Sequence, residues 1–355
     1  MTHDGDRSIP PGDIFRQAAV IFGGTGCIGT HTAQHFLARR IFERIYLADL
    51  HPPRPHPWAQ SLQEGLQSGR VVYVPLDVRQ PIQSPQLPSQ CGAVFNFAAI
   101  HREPGHARQE YFDTNLPGAE HVCAYATASG ARQMLFTSSI SPYGSSSAPK
   151  DEDTPPAPDT AYGESKLAAE KIHTAWQQAE PSRRLVILRP GVVFGRGEQA
   201  NMTRLVRSLA KGYFVYTGNQ STRKAGIYVK ELSCVMQYAL ESQQKNASPR
   251  LLWNVSYDPP PTMEDYVTAI CAVLGSTRKP LSIPRGLLMS VAHAVGAISD
   301  VLRIQQPVHP VRMRKLFRPT HIEPRRLREA GYLYQYTLQQ AFADWRADAP
   351  EDFQK

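Results

Sequence analysis

The chain has 355 residues, 41% of them hydrophobic and 20% charged, and a formal net charge of +8. That is enough chain to bury a large core, in one large domain or two modest ones, and the balance is globular rather than disordered. The positive charge suits anionic ligands, but no basic run with interleaved aromatics occurs, which argues against nucleic acid as a partner.

In chain order, residues 1–14 are polar and read as a disordered tail; Met1–Ser8 carries two acids, unlike a signal peptide. A buried strand is expected at Ala18–Phe22, breaking into the glycines Gly23, Gly24, Gly26 and Gly29 and a helix over Ile28–Arg39. Further strands are expected at Arg44–Ala48, Val71–Val74, Ala93–Phe97, Gln133–Thr137 and Leu185–Leu188, with helices at Arg108–Ser129 and Tyr162–Glu180. Strands separated by helices imply crossovers and a parallel sheet, so residues 15–190 read as a Rossmann-type, doubly wound α/β domain. After Pro190 the pattern loosens. Residues 191–350 are expected to form a smaller, mostly α substrate region, partly interleaved with the first. Its helices are expected at Asn201–Lys211, Lys230–Ser242, Thr262–Leu274, Pro284–Leu302 and Thr337–Asp348, and its short strands near Tyr213–Tyr216, Gly226–Tyr228 and Leu251–Asn254. The longest apolar stretch, Gly286–Ile298, is too short to span a bilayer, so no integral membrane segment is expected. Five scattered cysteines with no Cys-x-x-Cys pair indicate no metal site and no disulfide framework, and fit a reducing, cytoplasmic compartment.

Chemistry enters at the glycines. Backbone approaches a pyrophosphate only where side chains are missing, and the first N–H groups of the following helix, around Gly26, Cys27, Ile28 and Gly29, point at the anion. A nicotinamide dinucleotide then calls for an acid at the end of the second strand, for the adenosine ribose hydroxyls; Asp49 stands there. A carboxylate repels the extra phosphate of NADP, so NAD is favoured, although Arg39 and Arg40 are close enough to keep NADP open. Asp77 and Val78 follow the third strand where the adenine would lie, and Ala98 and Ala99 leave room after the fourth.

Tyr162 and Lys166 lie four apart, on one helix face. A tyrosine titrating near 10 is a poor base at neutral pH unless a cation stabilises its phenolate, and the lysine supplies that charge. The fifth strand runs out into Ser138, Ser139 and Ser141, so hydroxyls emerge at the sheet's carboxyl end, where open α/β sheets bind ligands.

These residues resemble the extended short-chain dehydrogenase/reductases, within the NAD-dependent epimerase/dehydratase family. The resemblance runs from about Ala18 to Trp345, through Gly23–Gly29, Asp77-Val78, Asn96–Ala99, Asn115, Ser138-Ser139, Tyr143-Gly144, Tyr162–Glu170 and Leu188–Gly191. It implies bound NAD, Ser139 as the hydroxyl on the reacting oxygen, Tyr162 as base, Lys166 as its partner, and Asn115 in the cofactor site. Ser138 or Ser141 could exchange with Ser139. Dehydratases of the family carry acids after the serine, where this chain has Ile140, Ser141 and Pro142, so the resemblance points to hydride and proton transfer alone. It implies a C4 epimerase of a nucleotide sugar. A ketoreductase, a hydroxysteroid-type dehydrogenase (suggested by the apolar Pro284–Leu302) and a non-catalytic NAD-binding scaffold are the alternatives. It further implies Asn201, Arg223, Lys224 and Arg318 toward the substrate phosphates, and a homodimer through the Arg108–Ser129 and Tyr162–Glu180 helices.

Overall fold

The computed structural model describes residues 17–54, 56–102, 105–217, 219–277, 280–283 and 319–354. The expected tail, the Pro284–Leu302 helix and Arg318 lie outside them. Elements follow in chain order as β1 (Ala19–Phe22), α1 (Cys27–Ala38), β2 (Ile45–Asp49), α2 (Gln60–Gln67), β3 (Val71–Pro75), β4 (Ala93–Asn96), α3 (Arg108–Ala128), β5 (Gln133–Thr137), β6 (Ser146–Lys150), α4 (Ala161–Gln178), β7 (Arg184–Pro190), β8 (Val192–Phe194), α5 (Asn201–Ala210), β9 (Val215–Thr217), β10 (Gly226–Tyr228), α6 (Val229–Asn246), β11 (Arg250–Val255), α7 (Met263–Leu274), β12 (Leu281–Ile283), β13 (Thr320–Ile322), α8 (Arg325–Glu329) and α9 (Leu338–Asp348). The strands and helices read from the first half all form, within two residues at each end. Not expected were α2, α8 and the short strands β6, β8, β12 and β13.

The chain folds as two compact units. Of the described residues, those within 17–142, 158–189 and 232–253 make up the first, and those within 143–157, 190–231, 254–283 and 319–354 the second.

A seven-stranded sheet of order β11-β7-β5-β4-β1-β2-β3 organises the first unit, with parallel pairing from β3 through β7. β1 is apolar on both faces and β4 is so up to its terminal Asn96; both are fully buried, as strands covered by helices on both sides are. On one face Val20, Phe22, Val94, Met134, Phe136, Leu185 and Ile187 pack with Val122, Ala126, Ala169 and Trp176 of α3 and α4. Each of the large side chains buried there contributes roughly 1.5–3 kcal/mol. Chain order reverses between β1 and β4, the switch point at whose carboxyl end such sheets take ligands.

The second unit holds three two-stranded parallel pairs, β8 with β10, β9 with β12 and β6 with β13. Its core is aromatic: Phe194 stacks on Phe342 (centroids 5.0 Å apart) and meets Tyr266 edge-on. Two buried carboxylates tie distant segments together. Glu231 accepts from the Tyr332 hydroxyl and the backbone N–H groups of Gln335 and Tyr336, and Glu152 accepts from Asn254 N–H at 2.8 Å. Helix starts carry their signals: Thr262 and Asp265 form a capping box on α7, Thr337 and Gln340 another on α9. Among the described residues no helix is long and apolar enough to cross a membrane.

Candidate active site

The glycine turn divides by what crowds it. A Cβ at Gly23 (φ +74°) would lie 2.6 Å from Ala98 N, and one at Gly29 would lie 2.5 Å from Gly23 O; both glycines are demanded by the chain's own packing. A Cβ at Gly26 would meet only Gly23 O, at 3.3 Å. α1 starts at Cys27 behind Gly26 with no side-chain cap and no acid in its first turn. An uncapped, acid-free helix start beside vacant Cβ space fits a pyrophosphate.

Asp49 ends β2 beside that turn. Its carboxylate accepts from Thr25 N–H at 3.1 Å and Leu50 N–H at 2.7 Å, which fixes it at the strand's carboxyl end. Of the arginines that kept NADP open, Arg39 donates to His35 Nδ1 at 3.1 Å, while His35 Nε2 donates to Gln237 at 2.7 Å. Asp77 pairs with Arg79 at 2.6 Å; that hydrogen bond holds its carboxyl below the usual range. Val78 packs against Gly118 on α3, and its carbonyl accepts from His121 at 2.8 Å. Asn115, buried on α3, spends its amide on protein. It accepts from Ile100 N–H (2.9 Å) and donates to Ile100 O (3.2 Å) and to Ser165 Oγ (3.0 Å), tying the loop after Ala98 and Ala99 to α4.

α4 begins at Ala161 because Thr160 caps it, its hydroxyl accepting from Gly163 N–H at 3.1 Å. A Cβ at Gly163 would lie 2.6 Å from Ser141 O, so the missing side chain lets the first turn of α4 press against the serine turn. The turn that carries Ser139 and Ser141 thus lies against the turn of α4 that carries Tyr162. Ser139 Oγ donates to Ser141 Oγ and accepts from Ser141 N–H, both at 3.1 Å. Ser138 Oγ is buried with no hydrogen-bond partner among the described residues. Tyr162 leans on Tyr111, with ring centroids 6.1 Å apart.

One turn further, Lys166 is buried, and burial pulls its ammonium down to about 7, against an upward pull from Glu170. Its Nζ sits 4.3 Å above the centroid of Phe136. Glu170 receives Arg189 in a buried fork, Nε to Oε1 at 2.8 Å and Nη2 to Oε2 at 2.7 Å. His101, on the loop after β4, is exposed as a residue, yet the protein packed around its ring first, and the Lys166 charge as well, lower it. Phe136, His173 and His101 were not singled out from the sequence. His173 could have been, since it lies seven residues after Lys166 and hence on the same helix face.

In the second unit, Asn201 is exposed in the first turn of α5. Arg223 donates to Pro260 O at 2.6 Å. Lys224, mostly buried, is drawn down by that burial to about 8.

Residues 19–256 match the NAD-dependent epimerase/dehydratase family. Among curated proteins, the chain is 26% identical over 322 residues to an N-acetyl-α-D-glucosaminyl-diphospho-ditrans,octacis-undecaprenol 4-epimerase of Escherichia coli O157:H7, covering 90% of this chain and 92% of that one. It is 24% identical over 291 residues to a 3β-hydroxysteroid-dehydrogenase/decarboxylase of Arabidopsis thaliana, covering 78% and 65%. Among solved structures, UDP-glucuronic acid 4-epimerase from Bacillus cereus in complex with NAD superimposes with a TM-score of 0.71 at 16% identity, over 95% of this chain and 100% of that one. That likeness is one of fold. With the family matched over most of the chain and the glycine turn and Asp49 in place, the protein belongs to the NAD-dependent epimerase/dehydratase family and is an NAD-dependent enzyme of the extended short-chain dehydrogenase/reductase type.

Proposed function

We propose that this enzyme inverts C4 of a sugar carried on a diphosphate, with a nucleotide sugar as substrate. The observation that carries the reading is the serine turn pressed onto the first turn of α4 through Gly163, with Ile140, Ser141 and Pro142 where elimination would need an acid. NAD, when bound, accepts a hydride and gives it back. In this reading Gly26 and the start of α1 hold the pyrophosphate, Asp49 takes the adenosine ribose, Asp77, Val78, Ala98 and Ala99 flank the cofactor, and Asn115 holds the neighbouring loop. Ser139 holds the reacting oxygen, Tyr162 takes its proton and later returns it, and the Lys166 charge favours the phenolate. Asn201, Arg223, Lys224 and Arg318 are proposed for the substrate phosphates.

The relative from Escherichia coli favours a second reading, the same inversion on a sugar joined through diphosphate to a polyprenol. We further propose a cytoplasmic homodimer through α3 and α4 that supplies sugars for polysaccharide assembly. Sedimentation showing only monomer at micromolar concentration would refute the dimer.

The test is a panel of UDP-, GDP- and dTDP-sugars alongside an undecaprenyl-diphospho-N-acetylhexosamine, followed by isomer analysis. Inversion at C4 of one member is expected, with Tyr162→Phe losing on the order of 10²–10⁴-fold in turnover while NAD binding persists. Oxidation of a hydrophobic alcohol, with every sugar left unchanged, would replace this reading by a dehydrogenase.

A further inference from the structure

Behind Lys166 lies a layered arrangement that the proposed chemistry does not itself require. The aromatic face of Phe136, on β5, lies 4.3 Å under the Lys166 Nζ. On that ring stacks His173 of α4, centroids 4.1 Å apart and planes 13° from parallel. His173 is held at both nitrogens. Nδ1 lies 2.7 Å from Ala169 O, which can only accept, so Nδ1 carries the proton; Nε2 then accepts from Asn96 Nδ2 at 3.2 Å. Asn96 ends β4 in register with Phe136. One ring is thereby clamped between a fixed, neutral imidazole and the ammonium.

The charged groups facing Lys166 are few. Glu170 lies one turn on along its own helix, but both its oxygens are engaged by Arg189 from β7. His101, on the loop after β4, is surface-exposed, and Tyr162 lies one turn back on α4. His173 is held neutral by burial. With the carboxylate engaged elsewhere, the negative face of the Phe136 ring is the group set directly against the ammonium. A helix lysine has four rotatable bonds, so a floor of this kind decides where its charge sits.

We propose that Phe136, braced by His173 and Asn96, is a positioning residue: its ring face fixes the Lys166 ammonium beneath Tyr162 and stabilises its charged form. This rests on the reading that Lys166 serves the reacting tyrosine, and the experiment separates the two.

The probe is the full-length apo protein labelled at lysine 15Nζ, the Lys166 resonance being assigned by its loss in Lys166→Met. Phe136 is replaced in turn by mono-, di- and trifluorophenylalanine, which drain the ring face while keeping its shape. The Lys166 titration is expected to move stepwise to lower pH, by about half a unit or more across the series. His173→Leu, which removes the stack, is expected to move it in the same direction. A titration that stays put across the fluorinated series overturns the proposal, and one unmoved in His173→Leu overturns the bracing. Should a fluorinated protein fail to fold, Phe136→Leu reads the same quantity. The sugar panel on the same variants keeps the two readings apart. A moving titration with no sugar converted sinks the epimerase alone; C4 inversion with an unmoved titration sinks only the positioning role.

Discussion

The two glycines Gly26 and Gly29 are the same residue type three positions apart, and the structure assigns them different causes. A Cβ at Gly29 collides with the backbone of Gly23 and Gly24, so Gly29→Ala is expected to destabilise the apo protein by about 1–3 kcal/mol. Gly26 has ordinary extended dihedrals, φ −69° and ψ 175°, and open space beyond one carbonyl. Gly26→Ala should leave apo stability within about 0.5 kcal/mol while weakening NAD at least tenfold, read by thermal melting and titration calorimetry. The sequence offered only a ladder; which rung serves the fold and which the ligand needed the neighbouring backbone. Two histidines held inside the protein behave likewise, one buried and one half-buried. His35 and His173 are both pulled by burial to about 4. An unfolded chain protonates them near 6.5, so their contribution is full above that pH and is lost as pH falls to about 4. At most it is on the order of 3 kcal/mol for His173, and less for His35, which is only half-buried. Melting temperature should therefore fall more steeply between pH 7 and 4.5 in the parent than in His35→Gln/His173→Gln.

Helix α4 carries Tyr162 and Lys166, the pair proposed to handle the proton, and two features at its first turn set its position. The Thr160 cap fixes where it starts, and Gly163 lets it approach the Ser141 carbonyl. Thr160→Ala should cost about 1 kcal/mol of stability, a loss of cap without displacement. Gly163→Val should act differently. Its side chain pushes α4 off the serine turn, so turnover should fall at least tenfold while NAD affinity changes little, since a small misplacement at a reacting centre is costly. Comparable losses in affinity and turnover would count against this. The helix itself was legible from its period and from the spacing of Tyr162 and Lys166. The approach through Gly163 was not, because a glycine after a tyrosine carries no sign of what will lie 2.6 Å from its missing Cβ.

For the whole molecule, ligand and fold are linked: a cofactor at 100 times its dissociation constant adds about 2.7 kcal/mol to the state that binds it. NAD should raise the melting temperature by several degrees, NADP by less, and Asp49→Asn should narrow that difference, because Thr25 and Leu50 fix Asp49 at the end of β2, where the proposed reading puts the adenosine ribose. Equal shifts with both cofactors in the parent would overturn the assignment. Chain order alone determined the doubly wound sheet, since alternating buried strands and helices leave few ways to cross over, and glycines followed by an acid determined the cofactor class. Those signals are local, and local periodicity survives in a sequence. The division of the chain was legible only as a boundary near Pro190 with some interleaving; that residues 143–157 fold with the second unit and 232–253 with the first depends on contacts between remote segments. The clamp on Lys166 was not legible, since its parts come from β4, β5 and α4 and meet only once the sheet has set Asn96 beside Phe136. The sequence by itself determined which groups are present and in what order; the tertiary structure decided which of them face one another.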